Sequence, residues 1–227
     1  MHIGYGNTKH EYRLDGKILA ETKIERDLGI LVDNELNFSK HIRSIVAKAN
    51  RIIELIKISF ESIEETKDVK MFSNLYSTLI RPHLEYCVQA WSPHLKKDIE
   101  ILENVQRRAT KLVRQYSHLE YEERLEKLEL TKLEDRRTRG DMILTYRLLN
   151  GHEGVEYQRF FTLLDTPYNL RRHSKTIERT TMNLDIRKSF YSRRIIEKWN
   201  SLSEEEVSAS CTSAFKRIYD YKEANGR

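Results

Sequence analysis

Three cations recur at helical spacing in one segment of this chain, namely Arg107, Lys111 and Arg114. With about 100° of rotation per residue, Lys111 falls about 40° from Arg107, and Arg114 falls about 20° on its other side. Arg108, about 100° away, widens this stripe. The apolar residues of the segment cluster on the opposite side of the same helix: Leu102, Val105, Ala109, Leu112 and Tyr116. Such a stripe is typical of a surface that binds nucleic-acid phosphates, and also of a solvated surface that keeps a protein soluble.

A second basic group is the run Arg171-Arg172-His173-Ser174-Lys175, which lies in an apparent loop. Its guanidinium, ammonium, hydroxyl and imidazole groups all suit phosphate oxygens. An exposed connector has the same composition, so both interpretations stay open. The candidate nucleic-acid-binding residues are therefore Arg107, Arg108, Lys111, Arg114, Arg171, Arg172 and Lys175.

The residues offer little for catalysis or metal binding. His83 and Cys87 are four positions apart, which places two ligands on one helical face, yet no third or fourth ligand is identifiable. Phosphoryl transfer by two metal ions needs converging carboxylates, often neighbouring aspartates, and the sequence contains no Asp-Asp pair. We predict no catalytic residue, no metal ligand and no cofactor in this chain.

The elements that carry these groups are predicted to be mainly helical. The 227 residues include only 3 Pro and 8 Gly, and 40 Lys and Arg against 35 Asp and Glu give a net charge of +5. That excess is compatible with a polyanionic partner. No apolar run approaches the roughly 18 residues of a transmembrane helix, and no signal peptide is legible, so we expect the cytosol or the nucleus and no membrane.

Alternating apolar residues around Asp15-Gly16 predict a small antiparallel sheet at the amino terminus, with strands near 9–14, 17–20 and 26–32. An amphipathic helix begins at Ser39, a second helix is interrupted at Pro82, and a third runs from about Leu95 to Tyr116. Further helices are predicted near 118–129, 132–150, 157–164, 186–201, 203–209 and 212–223. Capping-box patterns occur at four places: Ser62 with Glu65, Ser117 with Glu120, Thr131 with Glu134, and Ser203 with Glu206.

Eight short segments form a specific set because they occur together in one order. They are 25–33 (ERDLGILVD), 36–42 (LNFSKHI), 75–86 (LYSTLIRPHLEY), 89–93 (QAWSP), 102–111 (LENVQRRATK), 121–125 (YEERL), 136–141 (RRTRGD) and 199–202 (WNSL). In this order they resemble the end of the palm, the thumb and the tail of reverse transcriptases from non-LTR retrotransposons. The jockey-like and chicken-repeat-like clades are the most similar. The resemblance covers nearly the whole chain.

The resemblance implies four segments. Residues 1–34 would be the end of the palm with a primer-grip hairpin, 35–150 a helical thumb-like domain, 151–185 a linker and 186–227 a small helical tail domain. Leu28 and Gly29 match the hairpin that grips the primer end, where a missing Cβ allows a close backbone approach. The full-length enzymes of this family need Mg²⁺, which they bind through aspartates expected upstream of what this chain contains.

Two functions follow as expectations. In the first, the chain is a fragment of an RNA-directed DNA polymerase that binds an RNA/DNA hybrid or duplex but has no polymerase activity of its own, because the catalytic aspartates are absent. In the second, it is a helical protein-interaction or self-associating module, host-captured or a non-functional remnant. An apolar patch around Ile30, Val32 and Phe38 would then be exposed and would bind a palm region or a second copy.

Overall fold

The computed structural model describes residues 1–4, 7–61, 69–164, 173–179 and 185–226. The chain divides into two compact units, Met1–Glu134 and Asp135–Arg227. The architecture is mainly helical, with small antiparallel hairpins at the amino terminus, which confirms the predicted fold class. The division into segments at 34, 150 and 185 stays a prediction.

Two separate hairpins contain the β-strands of the described residues. Arg13–Leu14 (β1) pairs with Lys17–Ile18 (β2), and Ile24–Asp27 (β3) pairs with Ile30–Asp33 (β4), both antiparallel. The predicted turn at Asp15-Gly16 is confirmed, with φ of 49° and 76° at its two residues. The prediction of one three-stranded sheet is wrong, because the strands pair only within each hairpin.

The apolar residues of the two hairpins differ sharply in exposure. Ile30 and Phe38 are buried in the core of the first unit, and Val32 packs against that core. The predicted exposed patch at these three residues is therefore wrong, because β4 lies against α1. The first hairpin instead leaves a row of apolar side chains exposed: Tyr12, Leu14, Ile18 and Leu19.

The helices of the first unit pack around an amphipathic helix that begins at Ser39, as predicted. This helix, Ser39–Glu61 (α1), buries Ile42, Ala49 and Ile53 against the neighbouring helices. The other helices of the unit are Val69–Leu75 (α2), Arg81–Glu85 (α3), Val88–Trp91 (α4), Lys96–Thr110 (α5) and Tyr121–Lys127 (α6). The pattern at Ser62 and Glu65 lies outside the described residues.

Pro82 does not interrupt the second helical segment, contrary to prediction. Tyr76–Ile80 form a π-helical turn, and α3 follows it directly with Pro82 in its first turn. Backbone N–H groups in the first turn of a helix have no acceptor within that helix, so proline is tolerated there. Because the π-helical turn ends at Ile80 and α3 begins at Arg81, Pro82 lies at the start of a helix rather than inside one.

The second unit consists of one long helix and several short ones. They are Leu133–Leu149 (α7), whose first residues belong to the first unit, Asp185–Lys188 (α8), Tyr191–Arg194 (α9), Ile196–Asn200 (α10), Glu204–Val207 (α11) and Thr212–Ala224 (α12). Its core surrounds Tyr146, Trp199 and Phe215, and the Tyr146 and Phe215 rings stack 4.5 Å apart. The capping box at Ser203 and Glu206 is confirmed.

Two predictions for this unit are wrong. The single helix predicted at 186–201 is three short helices, and the helix predicted at 157–164 is a 3₁₀ turn at Tyr157–Arg159. In this unit and the first, the described residues include no helix that is both long and apolar enough to span a membrane.

Candidate nucleic-acid interface

Helix α5 presents two arginines to solvent in its last turn. Leu102, Val105 and Ala109 are buried in the core of the first unit, so this face of the helix is fixed. Arg107 and Arg108 lie on the outer side and are exposed. The helical spacing in the sequence therefore predicts correctly which residues up to Thr110 are buried and which are exposed.

The helix ends at Thr110, six residues before the predicted end at Tyr116. The N–H groups of Lys111 and Leu112 bond to the carbonyls of Arg108 and Ala109, three residues back, at 3.2 and 3.0 Å. Such bonds tighten the last turn and close a helix. The prediction that Lys111 and Arg114 continue one helical stripe is wrong, because Lys111 is the C-cap and Arg114 begins a 3₁₀ turn, Arg114–Tyr116.

Three of the four predicted cations nevertheless remain available at this end of α5. The side chains of Lys111 and Arg114 are exposed and have no hydrogen-bond or ion-pair partner among the described residues. Arg107 contacts an aromatic ring but no carboxylate of the described chain. We call Arg107, Lys111 and Arg114 the cationic ridge.

Arg108 does not belong to the cationic ridge. Its guanidinium forms an ion pair with Glu54 and lies 3.5 Å from the side-chain oxygen of Asn50, both on α1. Exposed pairs of this kind contribute only about 0–1 kcal/mol to stability. The pair nevertheless compensates the charge of Arg108, which makes this residue a weaker phosphate ligand than its neighbours.

An open cleft of about 360 Å³ adjoins the cationic ridge. Its lining is Arg107, Lys111, Ser117, His118, Leu119, Glu120, Tyr121 and Arg124, and we call it the α5–α6 cleft. Three of these side chains are cations, and Glu120 is the one carboxylate. Positive charge therefore exceeds negative charge in the cleft lining.

Glu120 is engaged at the start of α6. It is the N-cap residue, and its carboxylate accepts the N–H of Glu123 in a capping box. The predicted box at Ser117 and Glu120 is wrong by three residues, because the Ser117 hydroxyl donates instead to the Arg114 carbonyl at 2.8 Å. A glutamate at position 120 provides the same kind of oxygen acceptor that a serine would provide.

Tyr121 is the platform on which two of these cations lie. The guanidinium of Arg107 is 4.8 Å from its ring centre and that of Arg124 is 5.7 Å away. Its hydroxyl donates to Glu103 and accepts the Gln106 side-chain amide at 2.9 Å. Burial, followed by the Glu103 hydrogen bond, raises the pKa of Tyr121 above its usual value, so the phenol stays neutral. Cation–π contacts of this kind orient the guanidiniums.

A buried hydrogen-bond network fixes the position of the Tyr121 ring. Gln106 is fully buried, and its side-chain amide also donates to the Thr131 carbonyl at 3.0 Å. The Tyr76 hydroxyl donates to the Gln106 side-chain oxygen at 2.5 Å. Residues of the 102–111 segment therefore join α5 to α6 and to the chain that leads into α7.

Arg124 is the most buried cation of the α5–α6 cleft, with 4% of its surface exposed. Its Nε donates to the Thr110 hydroxyl at 3.1 Å, and its Nη1 donates to the Leu119 carbonyl. Both acceptors are neutral. No carboxylate of the described residues forms an ion pair with this guanidinium.

Leu28 and Gly29 form the turn between β3 and β4. Both have positive φ, 45° and 86°, and Leu28 is 79% exposed at the tip. The Tyr86 hydroxyl donates to the Leu28 carbonyl at 3.2 Å, and this hydrogen bond stabilises the turn. A Cβ at Gly29 would meet the Tyr86 ring at an ordinary 3.9 Å, so the backbone conformation rather than space favours glycine.

The basic run of residues 171–175 belongs to the second unit. Arg171 and Arg172 lie outside the described residues. His173 is buried, and the Lys175 ammonium donates to the Asn150 side-chain oxygen at 2.5 Å. Burial lowers the pKa of Lys175. The described part of this run is therefore fixed by contacts within its own unit.

The α5–α6 cleft also contains Arg124, Tyr121 and His118, for which the sequence alone predicts no binding role. Tyr121 and Arg124 are three residues apart in the 121–125 segment, a spacing that places two side chains on one helical face. That spacing was the available signal. His118 follows a turn that the sequence pattern does not reveal.

Comparison with known proteins gives one distant relative. The uncharacterized protein B0403.1 of Caenorhabditis elegans is 30% identical over 91 residues, which covers 38% of this chain and 41% of that protein. The chain thus spans less than half of that relative's length. No protein-family model matches the chain. No solved structure matches it.

Proposed function

We propose that this chain binds the phosphate backbones of an RNA/DNA hybrid or duplex, as the primer-grip and thumb part of a non-LTR retrotransposon reverse transcriptase. The observation that carries the proposal is the cationic ridge. Its three cations follow one another within eight residues at the end of α5, and none is paired with a carboxylate of the described chain. The cytosol or the nucleus is the compartment in which such a partner would be met.

The ridge suits backbone contacts rather than base reading. Exposed, flexible Lys and Arg side chains reach phosphate oxygens, and the grooves of an A-form duplex are recognised mainly by shape and backbone. Each phosphate contact releases counterions, so binding should tolerate any sequence and weaken steeply with salt. The exposed tip at Leu28 and Gly29 adds an apolar contact that suits a primer end.

Polymerase activity is not proposed for these residues by themselves. The sequence contains no Asp-Asp pair to hold two catalytic metal ions. The purified chain, incubated with primer–template, deoxynucleotides and Mg²⁺, should therefore extend no primer. Measurable extension, absent from a mock purification, would refute this part of the proposal.

Substitution of the ridge tests the binding site. Near 0.1 M salt, counterion release contributes about 8-fold in affinity for each phosphate contact, so three lost contacts should cost more than about 100-fold. The variant is Arg107→Gln with Lys111→Gln and Arg114→Gln, measured by fluorescence anisotropy with a labelled RNA/DNA hybrid.

A matched control removes the same charge elsewhere. Lys40, Arg43 and Lys97 are exposed at the opposite end of α1 and α5, about ten residues or 15 Å along α5 from Arg107. Replacing these three by Gln should reduce affinity by less than about tenfold through the loss of net charge alone. Equal losses in the two triple variants would refute the assignment of the site.

A second function, self-association, is favoured by the first hairpin. Its apolar row is 52–64% exposed on a two-stranded ribbon, and such a patch is typical of an interaction surface. Sedimentation velocity of the wild-type chain and of Leu14→Lys with Ile18→Lys distinguishes the proposals. A monomer that gains only the mass of the hybrid at low salt supports nucleic-acid binding. A dimer that the double variant abolishes supports self-association.

A further inference from the structure

We infer that the α5–α6 cleft is a binding site for a phosphomonoester, with Arg124 as its buried cation and the terminal phosphate of a nucleic-acid strand as its source. The choice of source rests on the proposed function. The site itself rests on the charges and hydrogen bonds of the cleft.

The charge of Arg124 is not compensated by any carboxylate of the described residues. Burying a charged group without an opposite charge costs free energy unless a partner is supplied. The two hydrogen bonds of this guanidinium go to a hydroxyl and a backbone carbonyl, which carry no net charge. Arg124 lines the cleft, and its Nη2 has no hydrogen-bond partner among the described residues.

The carboxylates near the cleft already have other partners. Glu120 caps α6, and Glu122 forms an ion pair with Lys132 at 3.2 Å. Glu103 accepts the Tyr121 hydroxyl and, at 3.1 Å, the Leu133 N–H. No described carboxylate therefore neutralises Arg124, and the structure leaves this role to a ligand.

The charge of the cleft matches that of a phosphomonoester. Arg107, Lys111 and Arg124 against Glu120 give these four side chains a net charge of +2. A phosphomonoester carries about −1.5 to −2 at pH 7, whereas an internal phosphodiester carries about −1. Guanidinium N–H groups donate charge-assisted hydrogen bonds to phosphate oxygens, and the Tyr121 ring already orients two guanidiniums. The Ser117 hydroxyl adds a neutral polar group to the lining.

The cleft and the cationic ridge can be tested separately. Arg114 belongs to the ridge but does not line the cleft, whereas Arg124 lines the cleft and is nearly inaccessible to a passing duplex. Arg114→Gln should therefore weaken binding of every duplex by the same factor. Arg124→Lys should remove only the preference for a terminal phosphate.

The experiment compares RNA/DNA hybrids of one sequence that end in a 5′-phosphate, a 3′-phosphate or hydroxyl groups only, with inorganic phosphate as a separate titrant. We expect the hybrid with one of the phosphorylated ends to bind at least about tenfold more tightly than the hydroxyl form, since one additional charge pair is worth about 1.4 kcal/mol or more in this partly buried site. Arg124→Lys and Lys111→Gln should each reduce that ratio to near one. Lys111 is exposed and its side chain has no hydrogen-bond or ion-pair partner among the described residues, so its variant keeps the test valid where Arg124→Lys unfolds the protein.

The results distinguish the phosphomonoester site from the source of its phosphate. Equal affinity for the three hybrids, together with no thermal stabilisation by inorganic phosphate, overturns the phosphomonoester site. Stabilisation by inorganic phosphate alone that Lys111→Gln abolishes supports the site and assigns it to free phosphate, which overturns the strand-end source. If no hybrid binds at all, the proposed function fails, while the inorganic-phosphate titration still tests the cleft.

Discussion

Replacing Gln106 by leucine should destabilise the first unit by about 2 kcal/mol, because a buried hydroxyl loses its hydrogen-bond partner and water does not replace it. It is fully buried, and its amide joins the Tyr76 hydroxyl, the Tyr121 hydroxyl and the Thr131 carbonyl. In Gln106→Leu the Tyr121 hydroxyl keeps its bond to Glu103. The Tyr76 hydroxyl and the Thr131 carbonyl lose theirs.

The magnitude follows from the Tyr76 hydroxyl, because Tyr76 is fully buried whereas Thr131 is exposed and water can reach its carbonyl. A buried polar group left without a partner costs about 1–3 kcal/mol, and leucine nearly fills the volume of glutamine, so little is added by a cavity. The one buried orphaned group gives about 2 kcal/mol. Adding Tyr76→Phe removes that group, so the double variant should recover most of the loss.

Urea unfolding measures this effect. Trp91 lies in the core of the first unit and Trp199 in that of the second, and they are the chain's only two tryptophans. In a shared Trp199→Phe background, Trp91 fluorescence alone reports on the first unit. A loss below about 1 kcal/mol in Gln106→Leu, or no recovery with Tyr76→Phe, would refute the network.

Three further predictions concern other parts of the chain. Leu28 has φ of 45°, so Leu28→Asn should stabilise the first unit by about 1 kcal/mol, and calorimetry showing no rise in Tm would contradict this. Burial lowers the pKa of His173 from its ordinary 6.5, although contacts with Trp199 and Glu204 act in the opposite direction. The unfolded chain therefore binds more protons than the folded chain, and the second unit loses stability as pH falls below 6.5. Thermal unfolding between pH about 7.5 and about 5.5 should show a smaller fall in Tm for His173→Gln than for wild type, and equal falls would refute the assignment. The Ala214 N–H donates to the Cys211 sulfur at 3.4 Å and lowers the pKa of that exposed thiol. Mass spectrometry should therefore show faster alkylation by iodoacetamide at Cys211 than at Cys87. Equal rates at the two cysteines would contradict this prediction.

Features governed by local sequence could be predicted. The apolar period of α1 continues through most of its 23 residues, and Asp15-Gly16 has the positive-φ preference that its turn requires. Ser203 with Glu206 satisfies both bonds of a capping box within four residues. In each case the physical cause lies inside the segment itself, so no distant contact is needed to decide it.

The end of α5 could not be predicted in this way. Leu112 and Tyr116 continue the helical period, yet the chain leaves the helix so that Val113, in an extended conformation, enters the core. Arg124 was missed for a similar reason. Its burial depends on Thr110 and Leu119, whose positions follow from where α5 ends. The cleft is therefore a product of packing, and sequence spacing alone gives only the pairing of Tyr121 with Arg124.

The salt dependence of hybrid binding tests the central claim most directly. Between about 50 and 200 mM salt, the logarithm of the binding constant should fall linearly with the logarithm of salt concentration, by about 0.9 for each phosphate contact. Substitution of Arg107, Lys111 and Arg114 by Gln should make that slope shallower by about 3, while the Lys40, Arg43 and Lys97 control keeps the wild-type slope. An unchanged slope in the ridge variant would contradict phosphate binding at this surface.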